Sequence, residues 1–171
     1  MTTAPPNDRP DVMVFPPLIL IATLALSAVL QKVVPLALLS GLDRSWRVAV
    51  GVLMLATGVG LSIAGAQALR RIGTNVNPLR PTLKLATNGI YRWTRNPMYD
   101  GGLPLMIGLA LIFGLDWLPL LLVPSYLVLH VAVIRREEQY LERKFGEAYR
   151  RYRAQVPRHL FPQWRSQPQE T

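Results

Sequence analysis

Cysteine is absent from the 171 residues. Disulfides, thiolate metal sites and cysteine nucleophiles are therefore excluded. Histidine is scarce: the complement of two, His130 and His159, stands too far apart in the chain for a histidine metal cluster, and no metal is expected. Acidic residues are also few, 10 against 19 Lys and Arg, which leaves a formal net charge of +9. Such an excess can mean nucleic acid. Here the basic residues flank apolar runs, so the positive-inside rule and anionic lipid account for them better, and no nucleic-acid partner is expected. Apolar length is what the chain has in abundance. A hydrophobic share of 50% is ordinary for a soluble domain. Long blocks with almost no charge are not ordinary, and they are the signature of spanning helices.

Residues 1–14 are polar and Pro-rich, and the composition predicts disorder. Arg9 precedes the apolar run, but no small-residue cleavage pattern follows, so no signal peptide is expected. A first span is read over 16–39, with a kink at Pro35. Its length suits one tilted span, or a span plus a short interfacial piece. Gly41 to Ser45 is a turn, with Ser45 and Asp43 as rival caps of the next helix. The second span runs over 46–69. Gly51, Gly58, Gly65 and Ala68 fall close to one face, with Gly60 and Ala64 beside them. Small residues let backbones approach in lipid, so this face is expected to pack on another helix. Residues 98–114 and 117–134 read as a helical hairpin, with Asp116 capping its second arm and His130 as a packing residue.

Between these spans, Ile72 to Asn96 is a long polar connection with Pro78, Pro81 and four basic residues. A connection this long is uncommon unless functional or disordered, and its Leu and aromatic residues argue against disorder. It is expected on the membrane surface. Asn96 followed by Pro97 suits a helix start, whose free amides and positive dipole end favour a carboxylate. After the last span, Val133, Glu137, Leu141, Phe145, Ala148 or Tyr149, and Tyr152 recur at helical spacing, so an amphipathic helix continues along the surface. Glu137 lies on the apolar stripe of that helix. A carboxylate there is costly unless a cation satisfies it. That cation is either an arginine such as Arg70 or Arg95, or a cationic ligand group.

Basic residues also set the topology. Arg70-Arg71, the connection and Arg135-Arg136 must share one side, and the turns at Gly41 and Gly114 go opposite. The expected architecture is all-α: an integral membrane bundle of four spanning helices with a C-terminal amphipathic surface helix. Residues 15–160 form its single domain, 161–171 are a tail, and both termini are cytoplasmic.

L-A-T-N-G-I-Y at Leu85–Tyr91, R-N-P-M-Y-D-G at Arg95–Gly101 and E-E-Q-Y-L-E-R-K-F-G-E-A-Y-R-R-Y from Glu137 resemble one family. It is the isoprenylcysteine carboxyl methyltransferases and their relatives, the phospholipid methyltransferases. The likeness covers Ile72 to Arg158, with an apolar hairpin between its two motifs. It implies an integral membrane methyltransferase, expected in a bacterial cytoplasmic membrane. It implies S-adenosylmethionine as cofactor, in a cytosolic pocket capped by the connection and the tail. A lipophilic methyl acceptor reaches that pocket from the bilayer. The cofactor contacts of the family fall on Leu85, Ala86, Tyr91, Asn96, Pro97, Met98, Tyr99 and Glu137. Glu137 would hold the cofactor's ammonium and the helix start at Asn96 its carboxylate. Two departures stand out. The family's His in R-H-P is Asn96 here, and its substrate-binding Arg falls on Val133, so Arg135 and Arg136 are the nearest candidates for substrate binding.

Methyl transfer is a displacement at a carbon already activated by the sulfonium, so positioning and exclusion of water suffice. No catalytic nucleophile is expected. A carboxylate acceptor needs no base, whereas an amine must lose a proton, with Glu138 or a tyrosine as the candidate. The alternatives to a carboxyl methyltransferase are a phospholipid N-methyltransferase, a membrane reductase using a nicotinamide cofactor, and a membrane adaptor that binds neither cofactor.

Overall fold

The computed structural model describes residues 8–160. The disorder expected of residues 1–7 and the tail expected at 161–171 lie outside the described residues. Everything described is helix, turn or irregular chain, with no strand among the described residues.

Pro16 and Pro17 occupy the first turn of α1, Pro16–Val33, where a missing N–H costs nothing. The helix stops at Val33 and does not reach 39, because Pro35 keeps the residue before it, Val34 at φ −131° and ψ 78°, out of the helical region. α2 runs over Arg44–Arg71, 28 residues. Asp43 caps it, accepting from the Trp46 N–H at 2.9 Å, which decides against Ser45. α3 is Pro97–Phe113, 17 residues, ended by Gly114 in the left-handed region at φ +66°. α4, Trp117–Leu129, passes through a single π turn, His130–Ile134, into α5, Arg135–Phe145. Together they form one rod of 29 residues. Gly146, at φ +53°, breaks the chain before α6, Glu147–Gln155. The expected amphipathic tail is therefore two helices, because the positive φ at Gly146 cannot continue an α-helix.

Three of these helices are long and apolar enough to cross a membrane: Pro16–Val33, Arg44–Arg71 and Trp117–Phe145. α3 is apolar but shorter, so the structure supports three full-length candidates where the sequence reading had four spans.

α2 and α3 make the closest helix pair, and glycine is the reason. A Cβ on Gly58 would stand 2.5 Å from the Gly101 carbonyl oxygen, and one on Gly108 would stand 2.6 Å from the Gly51 carbonyl oxygen. Gly65 faces Pro97 and Met98 in the same antiparallel register. The small face expected on α2 thus packs as foreseen at Gly51, Gly58 and Gly65. Gly60 departs from it and is exposed, with open space where a Cβ would be.

α1 lies against α4, joined by the Thr23 and Ser125 hydroxyls at 2.6 Å. At the far end of the bundle, Asp116 is buried. It accepts from the Leu39 N–H at 2.7 Å and from Gln31 Nε2 at 3.2 Å. It makes no cap on α4, contrary to expectation, because its carboxylate serves the loop after α1 instead. Residues 8–14 also differ from the expected disorder. Met13 N–H donates to the Ala132 carbonyl at 3.1 Å, Val12 and Val14 pack beside Ile19 and Leu129, and Asp8 pairs with Lys144 at 2.6 Å. The apolar flank and the buried partner groups fix a segment whose composition alone suggests no structure.

Candidate functional site

Where α2 ends, α3 begins and α5 starts, the connection 72–96 folds over the gap. Thr74 organises it: its hydroxyl accepts from the Leu83 and Lys84 N–H groups at 2.8 and 3.3 Å. Asn75 Nδ2 donates to the Pro81 carbonyl at 2.7 Å, and the Thr82 N–H donates to the Tyr140 hydroxyl at 3.1 Å. A 3-10 turn, Gly89–Arg92, follows Asn88 and carries the buried Tyr91 inward. Tyr152 of α6 donates to the Tyr91 carbonyl at 2.8 Å and ties the tail to the connection.

The result is a cavity of about 460 Å³. Leu85, Ala86, Tyr91, Asn96, Pro97, Met98, Tyr99 and Glu137, singled out from separate parts of the sequence, all line it. Arg135 and Arg136 do not. Arg135 is exposed, and Arg136 donates to the Asp11 carbonyl at 3.2 Å, holding the N-terminal segment. The sequence reading also missed part of the lining. Asn75 to Pro78, Thr82 and Lys84 come from the connection, and Phe15 and Pro17 come from the start of α1. Leu141, Tyr149 and Tyr152 line it too. Their place on the stripe with Glu137 was the available signal.

The two adjacent glutamates have different surroundings. Glu138 is buried in a cluster of two arginines. Arg95 Nη1 lies 3.0 Å from its Oε1, and Arg158 reaches it with Nε at 3.0 Å and Nη2 at 2.6 Å. That two-point contact holds the Arg158 guanidinium above its usual range. Glu137 has no ion pair among the described residues. Its one partner is the Tyr99 hydroxyl, which donates to Oε2 at 2.9 Å. Of the two cationic readings, the Arg95 salt bridge therefore belongs to Glu138, and Glu137 is left facing the cavity.

The helix start is less free than its sequence suggests. The Asn96 side chain does not cap α3; its Nδ2 donates to the Arg158 carbonyl at 3.1 Å. Asn96 is drawn away because the segment after α6 runs beneath this turn, with the Arg95 N–H on the Pro157 carbonyl at 3.0 Å. The phenols around the cavity are all shifted upward. Burial raises Tyr91 and Tyr152, and burial aided by the Glu138 charge pushes Tyr149 up to about 12. They remain neutral donors at any ordinary pH.

A smaller crevice of about 60 Å³ adjoins the cavity and is lined from α1, α3 and α4. Pro16, Leu20, Met98 and Tyr99 belong to both. Leu103, Leu122 and Leu129 make the crevice apolar, and Ser125 and Tyr126 supply its hydroxyls.

Apolar helices of membrane length, with a partly open cavity at one end, define a helical membrane protein with a candidate small-molecule site. Residues 46–148 match the phospholipid methyltransferase family, and the chain belongs to that family. It is thus a methyltransferase by family. The match starts in α2, ahead of the sequence likeness, and ends in α6 before Arg158. No curated protein and no solved structure matches the chain.

Proposed function

We propose that the protein transfers a methyl group from S-adenosylmethionine to a lipophilic acceptor lying in the bilayer. The observation that carries this reading is Glu137. It is a carboxylate with no cationic partner among the described residues, on the wall of a cavity lined mostly by aromatic and apolar side chains. Such a group favours a ligand that brings its own ammonium. The cavity volume falls within the range of small-molecule sites, roughly 300–1,000 Å³.

In this reading Glu137 holds the ammonium, and Tyr99 orients Glu137 through its hydroxyl. Lys84, at the cavity wall, and the first turn of α3 are left for the carboxylate, since the Asn96 side chain is engaged elsewhere. Leu85, Ala86 and Tyr91 enclose the adenine. When bound, the cofactor supplies a methyl on a sulfonium, already activated for displacement. The chain's own part is to align the acceptor with that carbon and to exclude water. Arg95 and Arg158 fix Glu138, and Glu138 in turn fixes the wall behind the reactants.

The acceptor arrives along the crevice shared at Met98 and Tyr99, with its chain left among α1, α3 and α4. An acceptor stripped of its hydrocarbon tail is therefore expected to be methylated much less efficiently, by kcat/KM in the same detergent. Equal efficiency would refute lateral access.

The same reading has four crossings, with the short α3 completing the bundle, and both the cavity and the termini in the cytoplasm. With no native cysteine, single thiols report this directly. Cysteines at the exposed Gly41 and Trp93 should react with an impermeant maleimide from opposite sides of the membrane. Labelling of both from one side would overturn the topology.

A further inference from the structure

Tyr126, His159 and Asp100 form a hydrogen-bonded row that the cofactor cavity leaves unused. Asp100 is buried in the first turn of α3 and accepts from three donors. They are the Thr94 hydroxyl at 2.5 Å, the Leu160 N–H at 3.2 Å and His159 Nδ1 at 2.6 Å. A carboxylate can only accept, so the hydrogen of the neutral imidazole sits on Nδ1. Nε2 then presents its lone pair 2.8 Å from the Tyr126 hydroxyl, which donates to it. Tyr126 is on the wall of the apolar crevice, across Met98 and Tyr99 from the cavity. A phenol backed by an imidazole and a buried carboxylate thus opens on the route of the acceptor. Nothing in binding the cofactor requires it.

We propose that Tyr126, backed by His159 and Asp100, removes the proton from an amine acceptor that comes in through the crevice. This rests on the methyl-transfer reading above. An ammonium has no lone pair and cannot attack carbon. The Tyr126 oxygen takes its proton while the phenolic proton passes to Nε2 of His159, and Asp100 stabilises the imidazolium. The freed nitrogen lone pair forms the bond to the methyl carbon. The carbon–sulfur bond breaks with its electron pair staying on sulfur. The positive charge that the sulfonium gives up reappears on the methylated ammonium. His159, only partly buried, returns its proton to solvent and Tyr126 regains its own. Glu138, the carboxylate that the sequence offers for this work, is held by Arg95 and Arg158 and is not free to do it.

The charged and titratable groups around the row are Asp100 from α3, His130 from the π turn, Arg135 and Glu138 from α5, and Arg158 beside His159. None of them is altered by Tyr126→Phe or His159→Asn, so a change in pH dependence reports the row itself. The test uses the full chain in vesicles of phosphatidylethanolamine, with methyl-labelled S-adenosylmethionine and single-turnover rates from pH 6.5 to 9.5. Proton abstraction by a positioned side chain contributes about 10²–10⁴-fold. Tyr126→Phe should lose at least about a hundredfold at neutral pH, by that measure. The deficit should shrink as pH rises and solvent deprotonates the amine, with cofactor affinity unchanged. His159→Asn should show the same trend with a smaller loss. A deficit constant with pH, or none, would overturn the relay, and so would a wild-type protein that binds cofactor yet leaves the aminophospholipid unmethylated. Either result leaves the proposed function standing. Failure of the wild-type protein to bind the cofactor would instead remove the proposed function, and the relay with it.

Discussion

Replacing Glu137 with glutamine should weaken S-adenosylmethionine binding about tenfold or more, whereas Glu142→Gln should leave it nearly unchanged. The two glutamates belong to the same helix, α5, and differ in what they face. Glu137 is on the cavity wall with the Tyr99 hydroxyl as its one partner among the described residues. Glu142 points outward and pairs with Arg153 at 2.8 Å. A hydrogen bond to a charged group is worth about 1.5–3 kcal/mol, which corresponds to roughly ten- to more than a hundredfold in affinity. Glutamine keeps the shape and can still meet Tyr99, so folding should survive and the loss should read as lost charge. Calorimetry or equilibrium dialysis on the purified protein checks it. Equal affinities for the two variants would mean that Glu137 serves the fold and not the ligand.

Gly58→Ala should be among the most damaging single changes in the bundle, and Gly60→Ala among the mildest. The two positions are neighbours on α2, and they differ in what stands opposite. The new carbon at Gly58 would lie 2.5 Å from both the Gly101 carbonyl oxygen and the Leu105 nitrogen. Both are backbone atoms of α3, so no side chain can swing aside, and the helices must part. Overpacking of this kind costs roughly 1–3 kcal/mol and sometimes more. At Gly60 nothing lies within 4 Å. There alanine only improves helix propensity, by about 0.8–1.0 kcal/mol. Thermal unfolding in detergent should therefore show Gly58→Ala melting well below the wild type and Gly60→Ala at or above it. Similar melting points would mean that α2 and α3 do not approach as closely as described.

The features read correctly from the sequence are those written locally or in one motif. Apolar length located the helices to within a few residues, apart from the early end of α1 at Val33. The small face of α2 showed in the seventh-residue recurrence of Gly51, Gly58 and Gly65. The cofactor-contact positions suggested by the family likeness line one cavity, though Arg135 and Arg136 do not, because the two motifs flank a hairpin that brings them together. What escaped depends on partners far along the chain. Asn96 looks like a cap until Arg158 is found beside it, and Asp116 until Gln31 and Leu39 are. The choice between Glu137 and Glu138 turns on Arg95 and Arg158, which no helical periodicity can position. Residues 8–14 look disordered by composition, yet Asp8 meets Lys144 more than a hundred positions away.

The π turn at His130–Ile134 has a consequence for charge. A wide turn takes up one more residue than an α turn while advancing the chain hardly at all. Everything beyond it lags by about one residue, or ~100° of rotation, relative to an unbroken α-helix. Were the rod from Trp117 to Phe145 regular throughout, the angular position now held by Glu137 would belong to Arg136. The wall of the cavity would then present a guanidinium where it presents a carboxylate, and a ligand carrying an ammonium would be repelled. The sign of the charge at that wall thus depends on a phase slip of one residue, placed a single turn upstream.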